Sequence, residues 1–120
     1  MKSYSDLEQS MKLAEILPIE SADQTWVRIA IAGANLDVPE ELQYRHNGDM
    51  PFQFYSGIGI PCWSLAALLR VLPYPELREQ YNGNWTCKVS NAATTYLWED
   101  DNPIDACVAM IDKLHEQKLL

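Results

Sequence analysis

The sequence predicts an α+β fold in which three helices pack on a small, mainly antiparallel sheet. Three segments carry this prediction: an apolar stretch over 62–72, two short alternating stretches over 85–90 and 94–98, and a capped amphipathic stretch from 102 onward. The expected order is helix, strand, a second strand in a poorly defined middle, helix, strand, strand, helix. Because the chain has 120 residues, we expect a single globular domain over 1–120.

The first helix is predicted to begin at Ser5 and to end before Pro18. Ser5-Asp6-Leu7-Glu8 matches a capping box, in which the Ser5 hydroxyl and the Glu8 carboxylate bond to backbone N–H groups at the helix start. Apolar residues at helical spacing form the expected buried stripe: Leu7, Met11, Ala14 and Leu17.

The first strand is predicted over 25–32, where β-branched residues alternate with others. Residues 37–50 are expected to begin with a short helical turn, with Asp37 as its cap, and Asn47-Gly48 is a strong turn signal. Segment 51–60 combines aromatic residues with two glycines, which favours a short strand that leads into a tight loop.

The second helix is predicted over 62–72 and ends at Pro73. Ser64 caps it, or Pro61 occupies its first turn. Since this stretch is apolar nearly all round, we expect it to be the central core helix. Residues 73–84 are interpreted as a connector that contains another Asn-Gly turn.

The alternating stretches 85–90 and 94–98 predict an antiparallel hairpin. The last helix has Asn102 or Asp101 as its cap, Pro103 at its first position and Asp105 in its first turn. Lys113, His115 and Lys118 near its end suit the helix dipole. Its expected buried stripe consists of Ile104, Cys107, Val108, Ile111 and Leu114.

Charge and cysteine content exclude some partners. With 17 acidic against 9 basic residues, the formal net charge of −8 disfavours nucleic acid and anionic membrane surfaces. The start of the chain lacks the apolar core of a signal peptide, and no segment approaches the roughly 20 apolar residues that cross a bilayer. Three cysteines without a C-x-x-C pair predict free, buried thiols in the cytoplasm.

The sharpest enzymatic hypothesis starts from Cys62. A cysteine at a helix start, followed by Trp, loosely resembles the nucleophile region of papain-like hydrolases, and a helix N-terminus lowers the pKa of a thiol. The base would have to be His115, in the last helix, or His46, in a loop-like segment. We expect instead a thiol buried among leucines between the sheet and the last helix, with a cysteine-dependent hydrolase as the alternative.

No catalytic residue, cofactor or metal ligand is assigned from the sequence. A zinc site would need Cys62, Cys87, Cys107 and His115 to converge from distant segments, whereas zinc ligands commonly come in closely spaced pairs. The acidic residues 99–101 are interpreted as caps and solvated charges of the last helix rather than as an acid/base pair.

Six aromatic residues lie outside clear core stripes: Tyr44, Phe52, Phe54, Tyr55, Tyr74 and Tyr81. Together with Arg45 and Arg78 they would suit a protein–protein interface, because aromatic and Arg side chains carry much of the binding energy of such interfaces. The preferred interpretation is that they close the ends of a thin core.

Segments 61–73 (PCWSLAALLRVLP) and 102–114 (NPIDACVAMIDKL) are similar to small uncharacterised proteins carried by prophages and mobile elements of gut bacteria. The opening segment 12–18 also fits that group. The resemblance implies an origin and no activity. We therefore expect a non-enzymatic cytoplasmic protein that acts through a protein partner or by self-association; a further alternative is an acidic inhibitor or DNA mimic that binds a basic protein.

Overall fold

A computed structural model describes residues 2–27, 41–44, 59–90 and 94–120. Their helices are α1 (Leu7–Ile16), a 3₁₀ helix (Ile19–Ser21), α2 (Leu65–Val71) and α3 (Pro103–Glu116). Their strands are β1 (Gln24–Val27), β2 (Glu41–Tyr44), β3 (Gly59–Cys62), β4 (Pro75–Glu79), β5 (Trp85–Ser90) and β6 (Thr95–Asp100). The predicted α+β class is confirmed.

The strands form two antiparallel sheets rather than one. The first sheet has the order β2-β1-β3, and the second has the order β4-β5-β6. In the second sheet Cys87 lies opposite both Leu77 and Trp98. The structure thus keeps the predicted order of helices and strands and adds one strand on each side of α2.

Helix α3 and strand β5 form the centre of the core. All five residues of the predicted α3 stripe are buried. Asn102 caps this helix, since its side-chain oxygen accepts a hydrogen bond of 2.9 Å from the backbone N–H of Asp105. The core residues on the other elements include Leu13, Leu17, Leu68, Cys87 and Val89. None of the described helices combines the length and apolar character needed to span a bilayer.

Helix α1 begins one residue later than predicted, and it buries a different face. Asp6 is the N-cap: its carboxylate accepts from the backbone N–H of Gln9, and the Gln9 side chain accepts from that of Asp6. The predicted Ser5–Glu8 box is wrong because the Ser5 hydroxyl is used in a tertiary contact. Ser10 and Leu13 are buried, whereas Met11 is 56% exposed.

Helix α2 is shorter than predicted. Ser64 is its N-cap, which confirms one of the two predicted alternatives. The Ser64 hydroxyl accepts a hydrogen bond from the backbone N–H of Ala67 at 3.2 Å. Cys62 therefore lies in β3 and not on the helix. The helix also has a solvent side, because Ala66 and Arg70 are exposed.

Two segments predicted to be irregular or helical are strands. Within segment 37–50, which is predicted to begin with a helical turn, 41–44 is β2, and within the predicted connector 73–84, 75–79 is β4. The turn after β4 does form at Asn82-Gly83, where Gly83 has a φ of 88° that suits glycine. The predictions for 28–32, 37–40, Asn47-Gly48 and 51–58 lie outside the described residues.

Candidate functional site

Cys62 lies in a small polar niche between β3 and the segment before α1. Its thiol is 3.5 Å from the Ser5 hydroxyl and donates to the Ser5 carbonyl at 3.3 Å. Ser5 also accepts a hydrogen bond from the backbone N–H of Trp63 at 3.1 Å, and its hydroxyl is 2.7 Å from that of Ser10. Ser5, Ser10 and Cys62 are all fully buried. The niche therefore joins α1 to the first sheet.

The surroundings of Cys62 do not suit a nucleophile. Burial raises the pKa of its thiol above the usual value, which lowers the fraction of reactive thiolate at neutral pH. The sulfur contacts hydroxyl and carbonyl groups, whereas His115 is exposed and its Nδ1 lies 3.0 Å from the carbonyl of Leu120. The expected burial is confirmed, but the neighbours are serines rather than the leucines of the core cluster.

The other two cysteines face each other inside the core. Cys87 on β5 and Cys107 on α3 are fully buried and not disulfide-bonded. The neighbouring Cys87 thiol, together with burial, raises the pKa of the Cys107 thiol. Cys62 belongs to a separate niche and His115 to the surface, so the structure does not bring the four candidate zinc ligands together.

An acidic cluster lies at the start of α3. One carboxylate oxygen from each of Asp100, Asp101 and Asp105 lies within 4.8 Å of the others. Asp105 is already satisfied, because it accepts hydrogen bonds from Lys2 at 2.8 Å, Gln9 at 2.7 Å and Asn102 at 2.6 Å. Burial opposes its ionisation, but these hydrogen bonds outweigh burial and lower its pKa. Asp105 is thus a structural anion in the first turn of α3, as predicted, and the N-cap is Asn102 rather than one of the acidic residues 99–101.

The second sheet presents one face to the core and the other to solvent. On the core side, Cys87 and Val89 are buried beneath α3. The outer side forms a shallow concavity in which Glu76 lies 3.3 Å from Arg78 and 3.9 Å from Lys88. The charges on this outer face are therefore largely balanced.

Strand β6 is the exposed edge of this sheet. Leu97 points to the outer side and is 62% exposed, and Trp98 points to the α3 side and is still 42% exposed. Glu99 and Asp101 follow, both exposed. A strand edge that carries exposed large apolar side chains is a favourable site for contact with another chain.

Two of the aromatic residues that the sequence singled out flank the same sheet. Tyr74, immediately before β4, is 90% exposed, and Tyr81, in the turn after β4, is fully exposed. Neither covers the core, so the preferred prediction is wrong for these two residues. The side chain of Tyr44 and the residues Phe52, Phe54 and Tyr55 lie outside the described part.

Sequence reasoning missed Leu97 and Trp98 as surface residues. The available signal was the run Tyr96-Leu97-Trp98, in which large apolar residues occupy both sides of a strand whose opposite sides should alternate. Such a run indicates that one apolar side chain faces solvent unless both sides are covered.

Comparison with known proteins adds no relative. No family model, no curated protein and no solved structure matches this chain. The resemblance to prophage and mobile-element proteins therefore stays a prediction.

Proposed function

We propose that this chain is a non-enzymatic protein that acts by binding another protein through the second sheet and its edge strand β6. The observation that carries the proposal is the exposure of Leu97 and Trp98 on adjacent residues of that edge. Exposed apolar side chains lose contact with water when a partner covers them, and each gains roughly 25 cal/mol per Å² of apolar area removed from water.

The rest of the same sheet supports the proposal. Tyr74 and Tyr81 flank β4 at the opposite edge and add exposed aromatic surface there, and Arg78 lies on the outer face. Tyr, Trp and Arg are the residues that most often dominate the binding energy of protein interfaces. The raised pKa and full burial of Cys62 count against the alternative of a cysteine-dependent hydrolase.

The experiment compares the tagged wild-type chain with a Leu97→Thr, Trp98→Thr double variant as bait in lysate of the source cell. Threonine keeps strand propensity and removes the apolar surface. The matched control is Met11→Thr, which removes a similarly exposed apolar side chain from α1. We expect a partner that wild type and control retain and that the double variant loses at least tenfold. Equal retention by all three folded proteins contradicts the proposal.

We further propose a cytoplasmic location and an origin in a prophage or mobile element. The three free, buried thiols support a reducing compartment. Cell fractionation tests the location, and recovery in the periplasmic or extracellular fraction contradicts it.

Sequencing the flanking genes tests the proposed origin in a prophage or mobile element, and a neighbourhood without integrase or phage structural genes contradicts it.

A further inference from the structure

Strand β6 lies at the edge of its sheet among the described residues. β6 stands at the end of the sheet order β4-β5-β6, and within the described part of the chain no backbone hydrogen bond joins its outer side to another segment. Every second N–H and C=O of an edge strand points away from its sheet. An extended segment of another chain can pair with these groups and extend the sheet.

The carboxyl end of β6 is negatively charged, and Glu99 accepts a hydrogen bond of 2.8 Å from the neutral Asn84 side chain. Among the described Lys and Arg residues, none has a nitrogen within 4.0 Å of the carboxylates of Glu99, Asp100 or Asp101. Glu76, on the opposite edge strand, is by contrast paired with Arg78. The formal net charge of −8 adds attraction for cations at longer range.

We propose that β6 receives an extended, positively charged segment of another protein as an added strand. Side chains directly opposite each other on paired strands lie on the same side of the sheet. Leu97 and Glu99 share one side, and Trp98 and Asp100 share the other. The segment therefore carries two basic residues next to two apolar residues. This inference rests on the proposed function of protein binding and names the chemistry of the partner.

A second copy of the chain fits this edge less well. Pairing β6 with itself about Leu97 would place Glu99 opposite Thr95, and pairing about Trp98 would place Glu99 opposite Leu97. Neither register gives an acidic side chain a cation, and both bring together two chains of formal net charge −8. A basic strand satisfies the backbone, the apolar side chains and the charges together.

The probe is a fluorescein-labelled peptide, Thr-Lys-Arg-Val-Ile-Thr, with blocked ends, titrated with the full chain at low salt and followed by fluorescence anisotropy. The matched control peptide is Thr-Glu-Asp-Val-Ile-Thr. We expect saturable binding of the basic peptide, no binding of the acidic peptide, and weakening of the basic complex as salt rises.

Backbone pairing is tested with two further peptides. Both have the sequence of the basic peptide. The first carries backbone N-methyl groups at its odd-numbered residues, and the second carries them at its even-numbered residues. Amides of a strand alternate between its two edges, so one peptide loses the N–H groups that face β6 and the other keeps them. We expect one methylated peptide to lose binding at least tenfold while the other binds. Equal binding by both contradicts strand addition.

The charge contribution is tested with the double variant Glu99→Gln, Asp100→Asn, which changes the two acidic residues of β6 itself. We expect its Kd for the basic peptide to rise about three- to tenfold, as the loss of two exposed ion pairs predicts. The control Glu15→Gln, Glu20→Gln removes the same net charge from exposed positions elsewhere and should change Kd less than about twofold. Equal effects of the two double variants contradict the proposal.

The outcomes separate this inference from the proposed function. If the lysate partner depends on Leu97 and Trp98 but the basic peptide does not bind, protein binding stands and strand addition is overturned. If light scattering shows a dimer that the Leu97→Thr, Trp98→Thr variant abolishes, the occupant is a second copy and the proposal of a basic partner is overturned.

Discussion

Ser5 connects more of this fold than its size suggests. Its backbone N–H donates to the carbonyl of Trp63 at 2.8 Å, its hydroxyl accepts from the N–H of Trp63, and its carbonyl accepts from the indole of Trp26 at 3.3 Å. All of these groups would be costly to leave unpaired away from water. One serine therefore holds the start of α1 against both β1 and β3.

Ser5→Ala should lower the free energy of unfolding by about 1–3 kcal/mol, because it leaves the buried Trp63 N–H without the hydroxyl acceptor and removes the hydroxyl partner of Ser10, which keeps only its contact with the Ser5 carbonyl. Urea denaturation followed by circular dichroism measures the change. Ser3→Ala, at an exposed position, is the control and should cost less than about 0.5 kcal/mol. Similar losses in the two variants would show that the buried network contributes little.

The thiol of Cys62 should be unreactive in the folded protein, because it is fully buried and its pKa is raised. Iodoacetamide labelling at pH 8, read by peptide mass spectrometry, should modify Cys62 much more slowly than free cysteine. Unfolding in urea should remove the difference. Labelling faster than free cysteine in the native state would instead favour the hydrolase alternative.

At the scale of elements, helix α3 is the most locally determined. Asn102 caps it, Pro103 occupies its first position, and Lys113 and His115 lie in its last turn. Each of these features stabilises the helix without help from distant residues. This local agreement explains why the start and the buried stripe of α3 could be predicted.

Asn102→Ala should destabilise the protein by about 1 kcal/mol, since the backbone N–H of Asp105 loses its acceptor. Asn102→Ser, which keeps a capping oxygen, should destabilise the protein less than Asn102→Ala does. Thermal unfolding of both variants beside wild type measures the difference. An Ala variant as stable as the Ser variant would contradict the capping role.

Strand β4 shows where local patterns fail. Its sequence, Pro-Glu-Leu-Arg-Glu, has low strand propensity, and it forms a strand because β5 pairs with it along its whole length. The prediction that Cys62 lies on the second helix is wrong for a related reason, because a short apolar stretch fits a buried strand as well as a helix. The hydrogen bonds of Ser5 with Cys62 and Trp63 could not be predicted from the sequence either, because these residues are far from Ser5 along the chain.

At the scale of the whole molecule, acid should destabilise the fold. The pKa of Asp105 is lower in the folded chain than its unfolded value of about 3.9, so its ionised form favours folding above about pH 4. That contribution disappears as pH falls through the lower folded pKa. Melting temperatures measured between about pH 6 and pH 2 should fall less steeply for Asp105→Asn than for wild type. The control Glu20→Gln should keep the wild-type slope, and an unchanged slope for Asp105→Asn would contradict the prediction.

The carboxylate of Asp105 also constrains the order of events during synthesis. It bonds to Lys2, which is 103 residues away, and to Gln9, which is 96 residues away. The hydrogen bonds that Lys2 and Gln9 donate to Asp105 therefore cannot form until the last helix has left the ribosome, whereas the contacts of Ser5 with Cys62 and Trp63 can form earlier. Closure of the core is a late, concerted step, and a nascent chain paused before that point exposes its leucines to chaperones.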